Sequence, residues 1–313
     1  MSKSNSTAPS TWSVVAALGA VYIIWGSTYL AIRFAIETLP PFIMAGVRFL
    51  SAGAILYAVM RLNRVHAPRR AHWRSTAIIA ALLLFGGNGG VVWAEQLVPS
   101  SVTAVIIATV PLWMAVLDWW RNGAKPTAGG SSGLALGLIG IALLVGQGKL
   151  DGGNQINPTG AGVLLLATLS WATGSLYARR ATLPASPLLG TAMEMLVGGA
   201  LLLIAGTVTG EWGQLRLEQI SLHSLIALGY LIIFGSLVAF SAYTWLLRST
   251  PLAVASTYAY VNPIVAVFLG WALAGESLTM QTLVATAVIV TAVVFITTFR
   301  DRRLQPAIAP ASE

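Results

Sequence analysis

Apolar residues run in blocks of about twenty along the chain, separated by short polar breaks rich in Pro, Gly and Arg. A block of that length crosses a hydrocarbon core of about 30 Å as a helix. The pattern predicts ten membrane-spanning helices, at 12–32, 41–60, 74–95, 100–120, 131–148, 159–178, 187–208, 224–247, 251–273 and 279–299. Residues 1–11 and 300–313 are polar and read as tails. The first block is too long for a signal-peptide core and lacks a cleavage site, so it reads as a retained helix.

One block departs from uniform apolarity. Pro251 to Gly270, PLAVASTYAYVNPIVAVFLG, holds no charge but places Tyr258, Tyr260, Asn262 and Pro263 near its middle. An amide facing lipid has no water to satisfy it. Pro263 donates no N–H, so the carbonyl one turn earlier loses its helical partner. Such a span either lines a cavity or is a kinked packing helix whose Asn is satisfied by a neighbour. A paler copy, PSSVTAVIIATVPLWMAVL, spans Pro99 to Leu117. Its Pro99 and Pro111 match Pro251 and Pro263 at an offset of 152. The two inner prolines are candidate hinges, because a proline softens the helix where it frees a carbonyl.

A second repeat signal agrees. Trp25, Leu30, Arg33, Pro41, Leu50 and Gly53 recur at an offset of 146 as Trp171, Leu176, Arg179, Pro187, Leu196 and Gly199. Helices one and two thus map onto six and seven, and four onto nine. The first repeat is assigned to 12–148 and the second to 159–299. Five helices per repeat is an odd number, so the halves cross the membrane in opposite senses. Inverted repeats mark secondary transporters, with the site near the midplane where the halves meet.

Composition and charge narrow the class. The chain is 56% hydrophobic and 9% charged, with a mean hydropathy of +0.78. A soluble protein carries about a quarter charged residues, so this pattern belongs to a polytopic membrane protein. The net charge of +8 does not point to nucleic acid, because the basic residues sit in the loops. With the N-terminus inside, the inner segments hold fourteen Lys and Arg against three outside, the bias that sets topology. Both termini are expected in the cytoplasm. There is no cysteine, and the three histidines fall in loops or helix ends, so neither a metal nor a cofactor is expected.

The segments WGSTYLAIRF, PPFIMAGVRFLSAG and STYAYVNPIVAVFLGWALAGESLT resemble the drug/metabolite transporter superfamily. Within it they are similar to the EamA-type exporters, in their YedA-like branch. The resemblance implies an all-α integral membrane fold of ten helices in two inverted five-helix repeats around a central cavity. It places helices 1–4 and 6–9 about that cavity and helices 5 and 10 at the side. It also implies export of small metabolites or toxic amphiphiles. Many such repeats carry a Glu before their last helix. Glu276 supplies it in the second half, whereas the first-half stretch RNGAKPTAGG has none.

Arg48 and Glu194 are the ionisable residues well inside the spans, each seven residues after a repeat-matched proline. Intramembrane charges face the interior and find partners. The two are read as meeting at similar depth. They either line the cavity, Arg48 holding a substrate carboxylate and Glu194 an amine, or form an ion pair that locks the halves. Glu194 is also the candidate carrier if a proton is the coupling ion. Ser27, Thr28 and Tyr29, with Thr173, Ser175 and Tyr177, place hydroxyls beside Trp25 and Trp171, either at the cavity or as helix contacts. Asn88, in FGGNGG, faces the cavity or marks a close approach, and Glu95 reads as a solvated helix end. The expected cavity wall therefore takes in Trp25, Ser27, Thr28, Tyr29, Arg48, Asn88, Trp171, Thr173, Ser175, Glu194, Tyr258, Tyr260 and Asn262. A carrier for small amphipathic substrates follows, as a monomer or weak dimer in the cytoplasmic membrane. A passive channel is the alternative. An intramembrane enzyme is less well supported, since no serine has a histidine partner and no ligand cluster appears.

Overall fold

The computed structural model describes residues 10–123, 128–145 and 156–298. Among these the chain is helical throughout. Its helices are α1 (Thr11–Ala35), α2 (Pro41–Leu62), α3 (Arg70–Ala94), α4 (Ser100–Arg121), α5 (Ala128–Val145), α6 (Pro158–Ala178), α7 (Pro187–Val208), α8 (Leu222–Ser249), α9 (Tyr258–Ala274, after a turn at Leu252–Ala255) and α10 (Met280–Thr298). Seven are long and apolar enough to cross a membrane. The apolar stretches of the others are shorter: Ser131–Leu143, Val261–Ala274 and Met280–Phe295.

Local sequence sets the ends. α2, α6 and α7 each begin with a proline, whose fixed φ suits the first turn and whose missing N–H would have had no partner there. α4 and α9 stop at Gly123 and Gly275, with φ of 66° and 64°, in the left-handed region that a side chain would disfavour. These glycines are themselves 152 residues apart.

The packing carries the repeat into three dimensions. α2 crosses α7, α4 packs on α9, and α5 packs on α10; α1 meets α8 and α9, while α6 meets α3 and α4. Adding or subtracting five turns each contact into another member of the same set. That is a two-fold relation, and with five helices per half it inverts one half against the other. The α2–α7 crossing is made by the repeat-matched residues themselves. A Cβ on Gly53 would lie 2.7 Å from the Leu196 nitrogen, and one on Gly199 would lie 2.5 Å from the Leu50 nitrogen. Only glycine permits this approach of backbone to backbone.

Three helices are locally widened into π turns, at Val21–Trp25 in α1, Ala81–Gly89 in α3 and Leu231–Phe240 in α8. Such turns often sit at functional sites because they push side chains and carbonyls out of register. All three converge on the centre of the molecule.

Candidate substrate cavity

Aromatic rings form one wall of a central cavity. Trp25 leaves the π turn of α1 and meets Trp171 of α6 edge to face, with centroids 5.6 Å apart and planes at 81°. Tyr258 of α9 meets Trp25 in the same manner at 5.5 Å. Tyr243 and Phe240 of α8 complete the cluster, with Tyr243 4.8 Å from Trp25. The indole N–H groups are satisfied. Trp25 donates to the Gly235 carbonyl at 3.2 Å, and Trp171 donates to the Tyr243 hydroxyl at 3.3 Å. The rings are thereby fixed in place and present carbon to the cavity.

Trp25, Thr28, Tyr29, Arg48, Asn88, Trp171 and Tyr258 line this space together, with Phe49, Ile107 and Phe240 among the apolar neighbours. The cavity has a volume of about 60 Å³. Arg48 is its charged lining residue. Its Nε donates to the Ser236 hydroxyl at 2.9 Å, and the guanidinium lies 4.5 Å from the centroid of the Phe49 ring. No described group accepts a hydrogen bond from its Nη1, although Arg48 is only 3% exposed.

Other expected site residues lie elsewhere. Ser27 turns to the Ile24 carbonyl and the Tyr230 hydroxyl. Thr173 bonds the Leu169 carbonyl within its own helix, and Ser175 sits behind the wall on the Tyr243 hydroxyl at 2.9 Å. Oriented to satisfy its neighbours, the Asn262 amide nitrogen donates to the carbonyls of Tyr22 and Tyr258, both at 3.2 Å. It ties α9 to α1 rather than facing the cavity. The side chain of Tyr260 lies outside the described part. Pro111 follows a break in α4 at Ala108–Thr109, and Pro263 lies inside the continuous α9.

The expected meeting of Arg48 and Glu194 is corrected. No ion pair joins them among the described residues. Each is the eighth residue of its helix, but α2 and α7 start at opposite ends of the bundle. At 1.5 Å per residue each lies about 10 Å from its own end of a helix about 33 Å long, which separates the two in depth by roughly 12 Å. Inversion puts matched residues at opposite depths, not the same one. Glu194 instead lies within electrostatic reach of Arg248, near the end of α8. Arg48 lies within reach of Glu95, which closes α3. The two repeats therefore carry equivalent charge couples with the signs exchanged. Glu95 is also not the solvated helix end its position suggests. It is fully buried, and neither carboxylate oxygen has a hydrogen-bond partner among the described residues.

Phe240, Tyr243, Gly235 and Ser236 carry no signal in the sequence beyond an apolar span. The π turn that holds Gly235, Ser236 and Phe240 is hinted at only by FGSL, a Gly–Ser step inside α8.

The two halves are related by two-fold packing, and comparison with known proteins agrees. The model of the EamA-like transporter family matches residues 11–146 and again 158–298. The chain belongs to that family. It is 46% identical to the uncharacterized inner membrane transporter YedA of Escherichia coli K12 over 283 residues, 90% of this chain and 89% of that one. It is 29% identical over 262 residues to the S-adenosylmethionine/S-adenosylhomocysteine transporter of Chlamydia trachomatis, covering 81% of this chain and 80% of the relative. A solved structure described as "Crystal structure of protein" shares the fold at a TM-score of 0.63 and 19% identity, covering 95% of this chain and all of that one. The chain is thus a multi-pass transporter of the cytoplasmic membrane. In this chain the central cavity is walled by Trp25, Trp171 and Tyr258.

Proposed function

We propose that this transporter is a secondary carrier that exports small amphipathic metabolites by alternating access, with both termini in the cytoplasm. The observation that supports this best is the cavity where the two inverted halves meet, aromatic on one side and bearing a buried guanidinium on the other. A site between inverted repeats can face either side when one half rocks against the other. The excess of Lys and Arg in alternate loops supports the orientation: the end of the bundle with Glu95 and Ser100 faces outward, and the end with Arg248 faces the cytoplasm. The small cavity volume supports substrates of metabolite size.

Counterflow in liposomes with a pooled metabolite library tests the reading. A labelled substrate should enter faster when unlabelled substrate is loaded on the other side. Flux without such acceleration would make the protein a channel. A pH gradient imposed in the same vesicles reads proton coupling directly.

A further inference from the structure

We propose that the cavity is built for an organic monocarboxylate with an apolar tail, and that Arg48 is the group that selects it. The inference rests on the carrier reading above. Arg48 is almost fully buried, lines the cavity, and has an Nη1 that no described protein group accepts from. A guanidinium in that setting is held ready for an acceptor that comes and goes, because a permanent partner would have taken the free N–H groups. Ser236 accepts from Nε and the Phe49 ring packs on the guanidinium plane, so its orientation is set from two sides.

The rest of the wall settles the charge of the ligand. Its hydroxyl and amide members besides Arg48 are Thr28, Tyr29, Asn88 and Tyr258, all neutral, and no carboxylate among the described residues lines it. Glu194, expected to receive an amine, belongs to the opposite end of the bundle. A zwitterion would place its ammonium group against Trp25, Trp171 and Ile107 without a carboxylate partner. A phosphate dianion would meet one cation where it needs two. A single carboxylate on a branched or aromatic tail matches both the one arginine and the rings. Glu95 lies within electrostatic reach of Arg48 yet makes no ion pair with it. Its Nη1 is thus left open to the incoming acid.

The probes are phenyllactate and 2-hydroxy-4-methylpentanoate, each beside its own amide and the corresponding amino acid. Purified protein is tested by thermal stabilisation in detergent and by counterflow in liposomes. The acids should stabilise and exchange, with the amides and amino acids at least tenfold weaker. Arg48→Gln should raise the half-saturating concentration of the acids at least tenfold and erase the preference over the amides. Arg48→Lys should restore part of it. Ser236→Ala, which keeps the charge but frees its orientation, should raise KM with little change in turnover. Equal responses to acid and amide, or an unchanged preference in folded Arg48→Gln protein, would overturn the assignment. Exchange of amides or amines without acids would overturn the carboxylate while leaving the carrier standing. Stably folded protein that exchanges nothing from these probes or from the library would take the carrier reading down with it.

Discussion

The two ends of the bundle close their helix starts by different chemistry, although the repeats that build them are related by two-fold symmetry. At the Glu95 end, α2 and α4 begin against carboxylates from the other repeat. Glu211, after α7, accepts from the backbone N–H groups of Phe42 and Ile43 at 3.1 and 2.8 Å. Glu276, after α9, accepts from the Ser100 N–H and hydroxyl at 2.8 and 2.7 Å and from the Ser101 N–H at 3.0 Å. A carboxylate on a helix start satisfies orphan N–H groups and meets the positive end of the helix dipole. At the Arg248 end the start of α7 is capped locally, by its own Ser186, which accepts from the Leu189 N–H at 3.3 Å. The first-half segments that symmetry would use there, NRVHAPR and RNGAKPTAGG, contain no Asp or Glu. The missing glutamate is thus one half of an asymmetry in how the helix starts are capped at the two ends.

A transition that opens the Glu95 end must break these charge-assisted bonds between repeats. The resting equilibrium is expected to keep the Glu95 end shut. The largest effect should come where the two halves are alike, at the α2–α7 crossing. Gly53→Val and Gly199→Val both drive a side chain into the facing backbone. Each should cost about 3 kcal/mol or more and abolish the folded monomer, read by size-exclusion of the solubilised protein. A large difference between them would break the symmetry from which the comparison starts.

Next in size are the clamps. Glu276→Gln and Glu211→Gln should each destabilise by about 1.5–3 kcal/mol, since bonds to an ionised group are at stake. Glu276 makes three such bonds and should be the costlier loss. The chain has no cysteine, and Ile32 also lines the cavity, so a single Ile32→Cys reports opening without background. In the Glu276→Gln protein its thiol should react roughly tenfold faster from the Glu95 side, about 1.4 kcal/mol of shifted equilibrium. An unchanged rate would mean that the carboxylates cap helices without latching the end. Ser186→Ala, at the opposite end, should cost about 1 kcal/mol and leave that thiol's rate alone.

Much of this fold could be read before it was seen. The blocks of apolar residues gave the helices, and Leu50, Gly53, Leu196 and Gly199 marked the repeat, though not the crossing that their backbones make. Trp25, Trp171 and Tyr258 were singled out by polar or aromatic character in matched spans, and the cavity brings them together. Three things escaped. Periodicity shows that a span is apolar but not where it widens, so Gly235 and Ser236 in the π turn of α8 gave no sign. Repeat matching gives equivalence but not depth, which is why Arg48 and Glu194 looked like partners. Glu211 and Glu276 act on residues 168 to 176 positions away, a distance at which no local rule applies.

The smallest expected effect on stability separates the two prolines, and it carries the comparison into the helices that face each other across the cavity. Sequence matching makes Pro111 and Pro263 equivalent hinges. Their settings differ. Pro111 stands near the start of a new helical segment, after the break at Ala108–Thr109. There its missing N–H has no helical acceptor to deprive, so the proline is nearly free of cost. Pro263 lies inside α9, where it denies a partner to the Ala259 carbonyl four residues before it. Asn262 beside it spends its amide on Tyr22 and Tyr258, leaving that carbonyl to others. Pro263→Ala should therefore restore a helical bond, leave the thermal midpoint the same or slightly higher, and slow exchange, because a straightened α9 resists bending. Pro111→Ala should change neither, since α4 is already interrupted without the help of its ring. Counterflow rates and unfolding midpoints of both single variants decide the matter. Equal slowing by the two would restore symmetric hinges, and no slowing by either would place the bend in the π turns of α1, α3 and α8 instead.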